Sequence, residues 1–320
     1  MVIFVLRTKA LRKIFIATLS LFILLFVVTI GTYDDINILR TNVEIEDISS
    51  LKVNSIYLLN DNGLLVKSKI LLDSDKEKDK ILEIISNLTV DYSNTLVDGL
   101  RGVIPKGTVV KEVIIGNKIV TINFSKEILE VSAENEKKMI SAIVYSIIEF
   151  GNYEGVRLLV EDVNFDKLPN SLEKLPSVLD KSFGINEMFN LTSRNDINKV
   201  VVYYLENIDN NLYFVPVTKY LNDDRDKIKI IVEELSSSYI YETNLMSFLN
   251  SNIKLLEYRE EDDIMYLNFN DYLFDGNDKV LEEVIYSLAY SVFDNYDVKM
   301  VMFEVNNEKI DYISINDRPY

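Results

Sequence analysis

Hydrophobic and polar positions follow a pattern that occurs twice along this chain. Four apolar residues at positions i, i+3, i+4 and i+7 share one face of an amphipathic helix. This spacing occurs at Ile81, Ile84, Ile85 and Leu88, and again 147 residues later at Ile228, Ile231, Val232 and Leu235. Asp-rich stretches at residues 72–75 and 221–224 precede the two segments. We expect their side chains to accept hydrogen bonds from the free amides of each first helical turn.

Strand-like and helical segments follow in each copy at an offset of 145 residues. Ile119–Phe124 and Ile264–Phe269 alternate as β-strands do, and each follows a polar turn. A second helix is predicted after each strand, from apolar stripes at Ile140, Ile143, Val144, Ile147 and Ile148 and at Ile285, Leu288, Ala289 and Val292. The pair Tyr145-Ser146 recurs as Tyr290-Ser291. A last strand is predicted at residues 156–160 and 298–302, where the offset of 142 implies a preceding loop three residues shorter.

Each copy opens with a predicted hairpin, at residues 56–72 and at residues 201–221. The order of elements is therefore β-β-α-β-β-α-β in both copies. Offsets that change only in loops indicate a duplication, because loops tolerate insertions that a packed core does not. We predict an α+β fold of two tandem modules, each a largely antiparallel sheet with two helices on one face, after an N-terminal transmembrane helix.

The beginning of the chain predicts a membrane anchor. Residues 14–33 are 20 uncharged positions, which as a helix span roughly 30 Å. Arg7, Lys9, Arg12 and Lys13 precede them, so the positive-inside rule places residues 1–13 in the cytoplasm and everything after residue 33 outside it. Two alternatives stay open. A long apolar core and a poor cleavage site weigh against a signal peptide, and the one-sided basic charge weighs against a buried soluble helix.

The same patterns divide the chain. We expect a basic cytoplasmic end (1–13), a transmembrane helix (14–33), a polar spacer (34–50), a first module (51–165), an inter-module segment (166–198), a second module (199–312) and a tail (313–320). The inter-module segment contains Pro169 and Pro176 and has no long periodicity, so it is predicted to be a linker.

Composition removes whole classes of chemistry. The 320 residues include no cysteine and no histidine. Disulfides, thiol nucleophiles, Ser-His and Cys-His arrangements and His-ligated zinc are therefore excluded, as is a lipid-modified N-terminal cysteine. The net charge is -17; residues 1–13 contribute +4 and residues 14–33 nothing, so the remainder carries -21. A surface this acidic repels nucleic acid, and we predict no nucleic-acid partner.

Two short motifs invite a functional interpretation, and both are better explained structurally. Residues 101–108 contain Pro-Lys-Gly-Thr, but a phosphate loop needs Gly-Lys-Ser/Thr at the start of a helix, so we predict a turn into a strand. Asp73, Asp75, Glu77 and Asp79 lack the glycine and the terminal glutamate of a calcium loop, as do residues 271–278. No pair among the 51 acidic residues stands out as acid and base. We therefore predict no catalytic, cofactor-binding or metal-binding residue.

One stretch resembles a known family. Residues 98–125 read DGLRGVIPKGTVVKEVIIGNKIVTINFS. Three elements of this stretch are similar to the GerMN domain of endospore-forming bacteria. They are Gly99-Leu100, the segment from Ile104 to Thr108, and a strand that ends in Asn123-Phe124-Ser125. The resemblance extends to both copies and to the segment at residues 184–194. The second copy departs from it, since residues 246–252 lack the glycines and proline of the first. In that family a lipid anchor is usual where this chain has a predicted transmembrane helix.

The resemblance implies a non-enzymatic function. GerMN proteins resemble assembly or scaffold components at the membranes between mother cell and forespore, and their modules are similar to ring-building domains. It implies other membrane or extracytoplasmic sporulation proteins as partners, and self-association as a further expectation, in a Gram-positive endospore former. The alternative is a peptidoglycan-binding module that supports cortex maturation or germination. A glycan-cleaving enzyme with two carboxylates is the third hypothesis.

Overall fold

A computed structural model describes residues 53–90, 99–151, 153–237, 244–274 and 279–316. The predicted transmembrane helix and its basic flank lie outside these ranges. Within them, no helix combines the length and the apolar character that a membrane crossing requires.

Both modules contain the predicted order of elements. In the first module these are β1 (Val53–Asn60), β2 (Leu65–Leu71), α1 (Glu77–Asn87), β3 (Leu100–Arg101), β4 (Val110–Gly116), β5 (Ile119–Phe124), α2 (Glu136–Gly151), β6 (Gly155–Val160) and β7 (Val163–Asn164). After β8 (Met188–Asn190), the second module has β9 (Asn198–Ile208), β10 (Asn211–Leu221), α3 (Lys227–Ser236), β11 (Leu255–Glu261), β12 (Ile264–Phe269), α4 (Glu282–Phe293), β13 (Met300–Val305) and β14 (Glu308–Ser314). The prediction of an α+β fold with two repeated modules is confirmed.

The strands of each module divide between two sheets, which the sequence patterns did not show. The opening hairpins of both modules join one sheet in the order β3-β1-β2-β10, with β9 and β8 also paired to β10. The other strands form one four-stranded sheet per module, β4-β5-β6-β7 and β11-β12-β13-β14. Because α2 and α4 cross over between β5 and β6 and between β12 and β13, these central pairs are parallel, and the outer pairs are antiparallel.

The second helix of each module lies at the centre of its core. Helix α2 contacts both β1 and β6, and every residue from Met139 to Ile147 is buried. A helix covered on more than one side needs more than one apolar face, which explains why α2 is more hydrophobic than α1. The apolar faces predicted for α1 and α3 are also confirmed, since all eight of their stripe residues are buried.

The capping prediction for α1 and α3 is wrong. Both helices begin a few residues later than the Asp-rich stretches, after Lys76 and Asp226, and neither of these two side chains accepts a hydrogen bond from its first turn. In α3 the Ile228 N–H donates instead to the hydroxyl of Tyr296 at 2.9 Å. The Asp-rich residues bond elsewhere instead: Asp223 holds the guanidinium and the amide of Arg225. Local side-chain hydrogen bonds of this kind compete with helix capping.

The predicted register of the last strand in the second module is also wrong. Residue Ile119 pairs with Gly155 in the first module, and Ile264 pairs with Met300 in the second, so the offset stays at 145. Val298 is buried but precedes β13, and the buried residue equivalent to Val156 is Val301. Parallel pairing to β12 fixes where β13 starts, a constraint that local alternation does not contain.

Candidate functional site

The two modules meet at the edges of their hairpins. Lys67 of β2 lies opposite Phe214 of β10, the point at which the two hairpins pair. Beyond it, Asn186 of the inter-module segment lies between the two strands. The side-chain oxygen of Asn186 accepts a hydrogen bond from the Leu65 N–H at 2.9 Å, and its side-chain nitrogen donates to the carbonyls of Leu65 and Pro216, both at 2.8 Å. One side chain thus satisfies backbone groups that the separating strands leave unpaired.

A group of polar side chains is buried beside this junction, and we call it the inter-module cluster. Its members come from every part of the chain that meets there: Tyr57 (β1), Lys67 (β2), Glu149 (α2), Lys181 (inter-module segment), Tyr203 (β9) and Asp294 (the residue after α4). The tyrosines occupy equivalent positions of the two modules, as do the two carboxylates. The segment predicted to be a linker is therefore packed between the modules, and Leu168, Leu179 and Ile185 within it are buried.

The cluster is connected throughout. The hydroxyls of Tyr57 and Tyr203 lie 3.2 Å apart; Tyr57 donates to Glu149, and Tyr203 donates to Asp294 at 2.8 Å. The ammonium of Lys181 bridges the two modules, 3.1 Å from Glu149 and 2.6 Å from Asp294. Lys67 lies 2.9 Å from the other oxygen of Glu149 and 4.0 Å from the ring centroid of Tyr290.

The charges in the cluster balance, since Lys67 and Lys181 face Glu149 and Asp294. Burial by itself would raise the pKa of Glu149, but Lys67 and Lys181 lower that pKa to about 2. Burial lowers the pKa of Lys181, yet Asp294 and Glu149 raise it to a value above its ordinary one. Burial, reinforced by the two carboxylates, also raises the pKa of Tyr57 and Tyr203, so both stay protonated donors. Two cations and two anions therefore hold the modules together.

The repeated Tyr-Ser pair has a structural explanation that the sequence did not reveal. Ser146 accepts a hydrogen bond from the Tyr57 N–H at 3.1 Å, and Ser291 accepts one from the Tyr203 N–H at 2.9 Å. Both serines are fully buried. Each serine lies on the second helix of its module, and its hydroxyl pairs with the backbone amide of a strand. An apolar residue in place of the serine would leave that buried amide unpaired.

A second contact between the modules lies at the hairpin turns. Glu206 of β9 is buried and accepts hydrogen bonds from the side-chain amides of Asn60 and Asn62, both at 2.5 Å. Burial raises the pKa of Glu206 and the two amides lower it, with a net increase. A raised pKa would suit a general acid, but each carboxylate oxygen is already bound to a neighbouring side chain of the protein. Glu206 is therefore a second tie between the modules.

The residues that carry the GerMN resemblance also serve the fold. The side chain of Asn123 donates to the carboxylate of Asp162 at 2.7 Å and accepts from the backbone N–H of Asp162 at 3.1 Å. In the second module the side chain of Asn268 donates to the side-chain oxygen of Asn307 at 2.7 Å and accepts from its backbone N–H at 3.0 Å. Asp162 and Asn307 have positive φ angles in the turn that follows the parallel strand. The buried asparagine of each Asn-Phe pair therefore holds a left-handed turn in place.

The glycines of the same motif have structural roles too. A Cβ atom on Gly102 would lie 2.4 Å from the carbonyl oxygen of Leu88, which accepts from the two residues that follow Gly102. Gly107 has a φ of +80°, in the turn that leads into β4, as predicted for Pro-Lys-Gly-Thr. A phosphate loop would require a helix at this point.

A cleft of about 780 Å³ opens beside the inter-module cluster and is lined by both modules. On its rim Lys118 pairs with Glu154 at 2.8 Å, and at the equivalent positions Asp263 pairs with Lys299 at 2.7 Å, so the same ion pair occurs with its charges exchanged. Deeper in the cleft, the carboxylates of Glu149 and Asp294 form ion pairs with Lys181. A glycosidase needs one carboxyl with a raised pKa, and Glu149 has the opposite.

The acidic runs do not converge on one point. Glu77 accepts a hydrogen bond from Tyr153 at 2.6 Å, and Asp271 accepts one from Asn306 at 2.5 Å. Of the second run, residues 275–278 lie outside the described ranges. In the part of the chain that the structure describes, no group of three or more acidic residues is placed to hold a metal ion.

Comparison with known proteins agrees with this architecture. The model of the Germane family, described as sporulation and spore germination, matches residues 55–165 and 201–311. The spore germination protein GerM of Bacillus subtilis (strain 168) is 25% identical over 268 residues, which are 81% of this chain and 73% of that protein. The tandem GerMN domains of the B. subtilis sporulation protein GerM have a similar fold, with a TM-score of 0.73 and 24% identity over 81% of this chain and 92% of that one. With the family model matching most of the chain, the GerMN resemblance is confirmed, and this protein belongs to the Germane family of sporulation and spore germination proteins.

Proposed function

We propose that this chain is a non-enzymatic assembly protein of sporulation, held at the membrane, whose two modules act outside the cytoplasm as one rigid body that binds other proteins. The observation that carries the proposal is the inter-module cluster. Its charges are saturated by one another, which suits a permanent junction and leaves no free acid or base. A rigid tandem presents two surfaces at a fixed distance and angle, which is what a scaffold requires.

The strand edges favour contacts through faces of the sheets. Edge strand β4 is bulged between Val110 and Glu112, edge strand β11 between Leu255 and Glu257, and the pairing of edge strand β14 is bulged opposite Phe303 and Glu304. Bulges and edge charges hinder the addition of a further strand. We therefore infer that partners bind to faces and loops of the two modules.

The non-enzymatic part of the proposal has a direct test. Purified residues 51–320 are incubated with peptidoglycan, and released muropeptides are measured by chromatography. We expect none. Release that disappears in Asp294→Asn but persists in the surface control Asp61→Asn would make this an enzyme.

The assembly part is tested in sporulating cells. A strain that lacks the gene is complemented with the full chain, with Lys181→Met, or with the surface control Lys118→Met. We expect Lys181→Met to restore fewer heat-resistant spores than either the natural chain or the control, at equal protein level. Equal restoration by all three would contradict the need for a rigid junction.

The proposed location follows from the charge around residues 14–33 and is tested separately. Protease added to intact protoplasts should remove everything after residue 33. Protection of a C-terminal tag would place the modules on the other side of the membrane.

A second candidate function, peptidoglycan binding, is favoured by one exposed aromatic pair. The rings of Phe189 and Tyr220 stack with centroids 4.7 Å apart and an angle of 6°, and Phe189 is 61% exposed. A sugar ring could stack on the free face of Phe189. Co-sedimentation with insoluble peptidoglycan that is lost in Phe189→Ala, and kept in the exposed control Leu172→Ala, would support this function; no sedimentation of the natural chain would exclude it.

A further inference from the structure

Two equivalent grooves flank the point where the hairpins of the two modules pair. In the first hairpin Tyr57 pairs with Lys67, and in the second Tyr203 pairs with Pro216. Because the two tyrosines are equivalent, Lys67 corresponds to Pro216, and the neighbouring residues of β2 and β10 correspond with the same offset. Each groove lies between β2, β10 and the first turns of one of the two central helices, α2 or α4.

The groove beside α2, which we call the filled groove, contains the inter-module segment of the chain itself. Ser141 of α2 donates to the Gly184 carbonyl at 2.8 Å. The Ile185 N–H donates to the hydroxyl of Thr218, and the Thr218 N–H donates to the Ile185 carbonyl, both at 2.9 Å. Ile185 is 1% exposed, and beyond Asn186 the segment continues as β8, parallel to β10. A short peptide segment therefore fills this groove and then adds to the sheet.

The groove beside α4, which we call the open groove, has a volume of about 410 Å³. In the part of the chain that the structure describes, no segment crosses it as residues 184–187 cross the filled groove. Its lining includes Lys69, Phe214 and Tyr286, the equivalents of Thr218, Leu65 and Ser141. The two grooves therefore share one backbone framework but have different side chains.

The edge of β2 is oriented to receive a peptide in the open groove. In an antiparallel pair the N–H and C=O groups of alternate residues point away from the partner strand. Leu65 directs these groups to Asn186, so Lys69 and Leu71 of the same strand also direct theirs away from β1. The pairing of β1 with β2 has no bulge, unlike the outer edges of the two four-stranded sheets. The ammonium of Lys69, in place of the hydroxyl of Thr218, can donate to a peptide carbonyl.

Charge distinguishes the two grooves. In the filled groove the ammonium of Lys137 lies 3.6 Å from the carboxylate of Glu187. The equivalents of Lys137 and Lys138 in the open groove are Glu282 and Glu283. Among the described residues, neither glutamate forms an ion pair with another side chain. The open groove is therefore complementary to a cation where the filled groove holds an anion.

This reversal of charge argues against the acidic segments of the chain itself as the occupant. Segment 184–190 of a second copy would bring Glu187 against Glu282. The spacer at residues 34–50 carries five acids and one arginine, and residues 34–320 together carry -21. A basic segment of another protein is complementary both to the open groove and to the whole acidic surface.

We propose that the open groove binds a short basic segment of a partner protein, which adds to β2 as β8 adds to β10, packs an apolar residue against Phe214 and pairs a lysine or arginine with Glu282. The filled groove supplies the pattern, since the apolar Ile185 precedes the charged Glu187 by two residues. This inference rests on the proposed assembly function and names the chemistry of one partner. A contact of this size suits weak binding, which a shared membrane would strengthen by raising the local concentration.

The filled groove also supplies the probe for the test. Two synthetic peptides, residues 184–190 and the same residues with Glu187→Lys, are added to the full-length chain in detergent micelles. Binding is measured by saturation-transfer NMR, which detects weak complexes. We expect the lysine peptide to bind the natural chain at least several-fold more tightly than the glutamate peptide. Glu282→Lys in the chain should reverse this order, whereas the matched control Glu308→Lys, the same change of charge at an exposed position outside the groove, should preserve it.

Each outcome decides the proposal, and melting temperatures check that both variants remain folded. No binding of the lysine peptide to the natural chain would overturn it. Tighter binding of the glutamate peptide would make the inter-module segment of a second copy the occupant and overturn it too. Equal effects of Glu282→Lys and Glu308→Lys would reflect general attraction to an acidic protein and place no site in the groove. Complementation with Lys181→Met does not depend on this groove, so the assembly function can stand while this proposal fails.

Discussion

Replacing Lys181 by methionine removes the one cation that touches both carboxylates of the inter-module cluster. Methionine keeps the length of the side chain and fills most of its space, so the change is mainly one of charge. It leaves Glu149 with Lys67 as its remaining cation, and Asp294 with the hydroxyl of Tyr203. Both carboxylate side chains are largely buried, at 17% and 5% exposure.

The expected loss of stability can be estimated from Glu149. Its pKa falls from an ordinary 4.5 to about 2, because the two lysines outweigh the effect of burial. Each pKa unit corresponds to about 1.4 kcal/mol, so the net effect of these surroundings stabilises the folded carboxylate by about 3 kcal/mol at neutral pH. Losing one of the two lysines, while Asp294 also loses its cation, should lower the free energy of unfolding by about 3 kcal/mol, within the range for breaking a buried pair.

The pH dependence follows from the direction of the shift. A carboxylate whose folded pKa is depressed contributes stability above its unfolded pKa, and that contribution is lost as the pH falls towards 2. Lys181→Met removes one of the two cations that lower the pKa of Glu149, so that pKa rises. As the pH falls, the Glu149 carboxyl of the variant is therefore protonated at a higher pH than that of the natural chain, and a protonated carboxyl needs no cation. The difference between the natural chain and the variant should therefore be largest near pH 7 and smaller near pH 4.

Urea denaturation of residues 51–320 at both pH values measures the effect, and Lys118→Met is the matched control. Lys118 pairs with Glu154 at 2.8 Å, but both side chains are 68% exposed, so solvent screens the pair and its loss should change stability far less than the loss of Lys181. We also expect the single transition of the natural chain to separate into two when the junction is weakened. Equal effects of the two substitutions, or a deficit in Lys181→Met that grows towards pH 4, would refute this account of the cluster.

Three further substitutions test the core and the motif by the same denaturation assay. Ile84→Asp places a charge at a fully buried position and should cost more than about 4 kcal/mol, whereas Ser86→Asp on the same helix should be nearly neutral; similar effects would mean that the buried face is misassigned. Gly102→Ala should cost at least about 2 kcal/mol because its Cβ meets a backbone carbonyl, and Gly116→Ala, with open space around it, should not destabilise. Asn123→Ala should cost about 1–3 kcal/mol and speed amide exchange in the turn after β6, and unchanged exchange would contradict its role.

Much of the fold could be predicted because its constraints are local. Helix and strand periods report which side of an element is buried, so the stripes of α1 and α3 and the strands β5 and β12 emerge from single segments of sequence. The division into two sheets could not, because it depends on which strands pair after the helices cross over. The start of β13 has the same origin, since its register is set by β12 and not by its own residues.

The inter-module cluster was missed for a different reason. Tyr57, Glu149, Lys181 and Tyr203 lie far apart in sequence, and each is an ordinary polar residue in its own segment. A weak signal existed in the duplication, because the tyrosines recur at equivalent positions and Glu149 is matched by Asp294. Lys181 has no such signal, since it lies in an aperiodic segment that composition alone describes as a linker.

Comparing the two modules separates residues that serve the fold from residues that are free to serve function. Ser146 and Ser291 are identical because each must satisfy a buried strand amide, and any change would cost both modules equally. Thr121 and Tyr266 occupy equivalent positions on an outer sheet face, where the fold imposes no such requirement. In the second module Tyr266 contacts Arg259 and Lys309 across the strands, a set of contacts that the first module lacks. In a duplicated protein, the positions that differ between the copies and remain exposed are therefore the first places to look for binding.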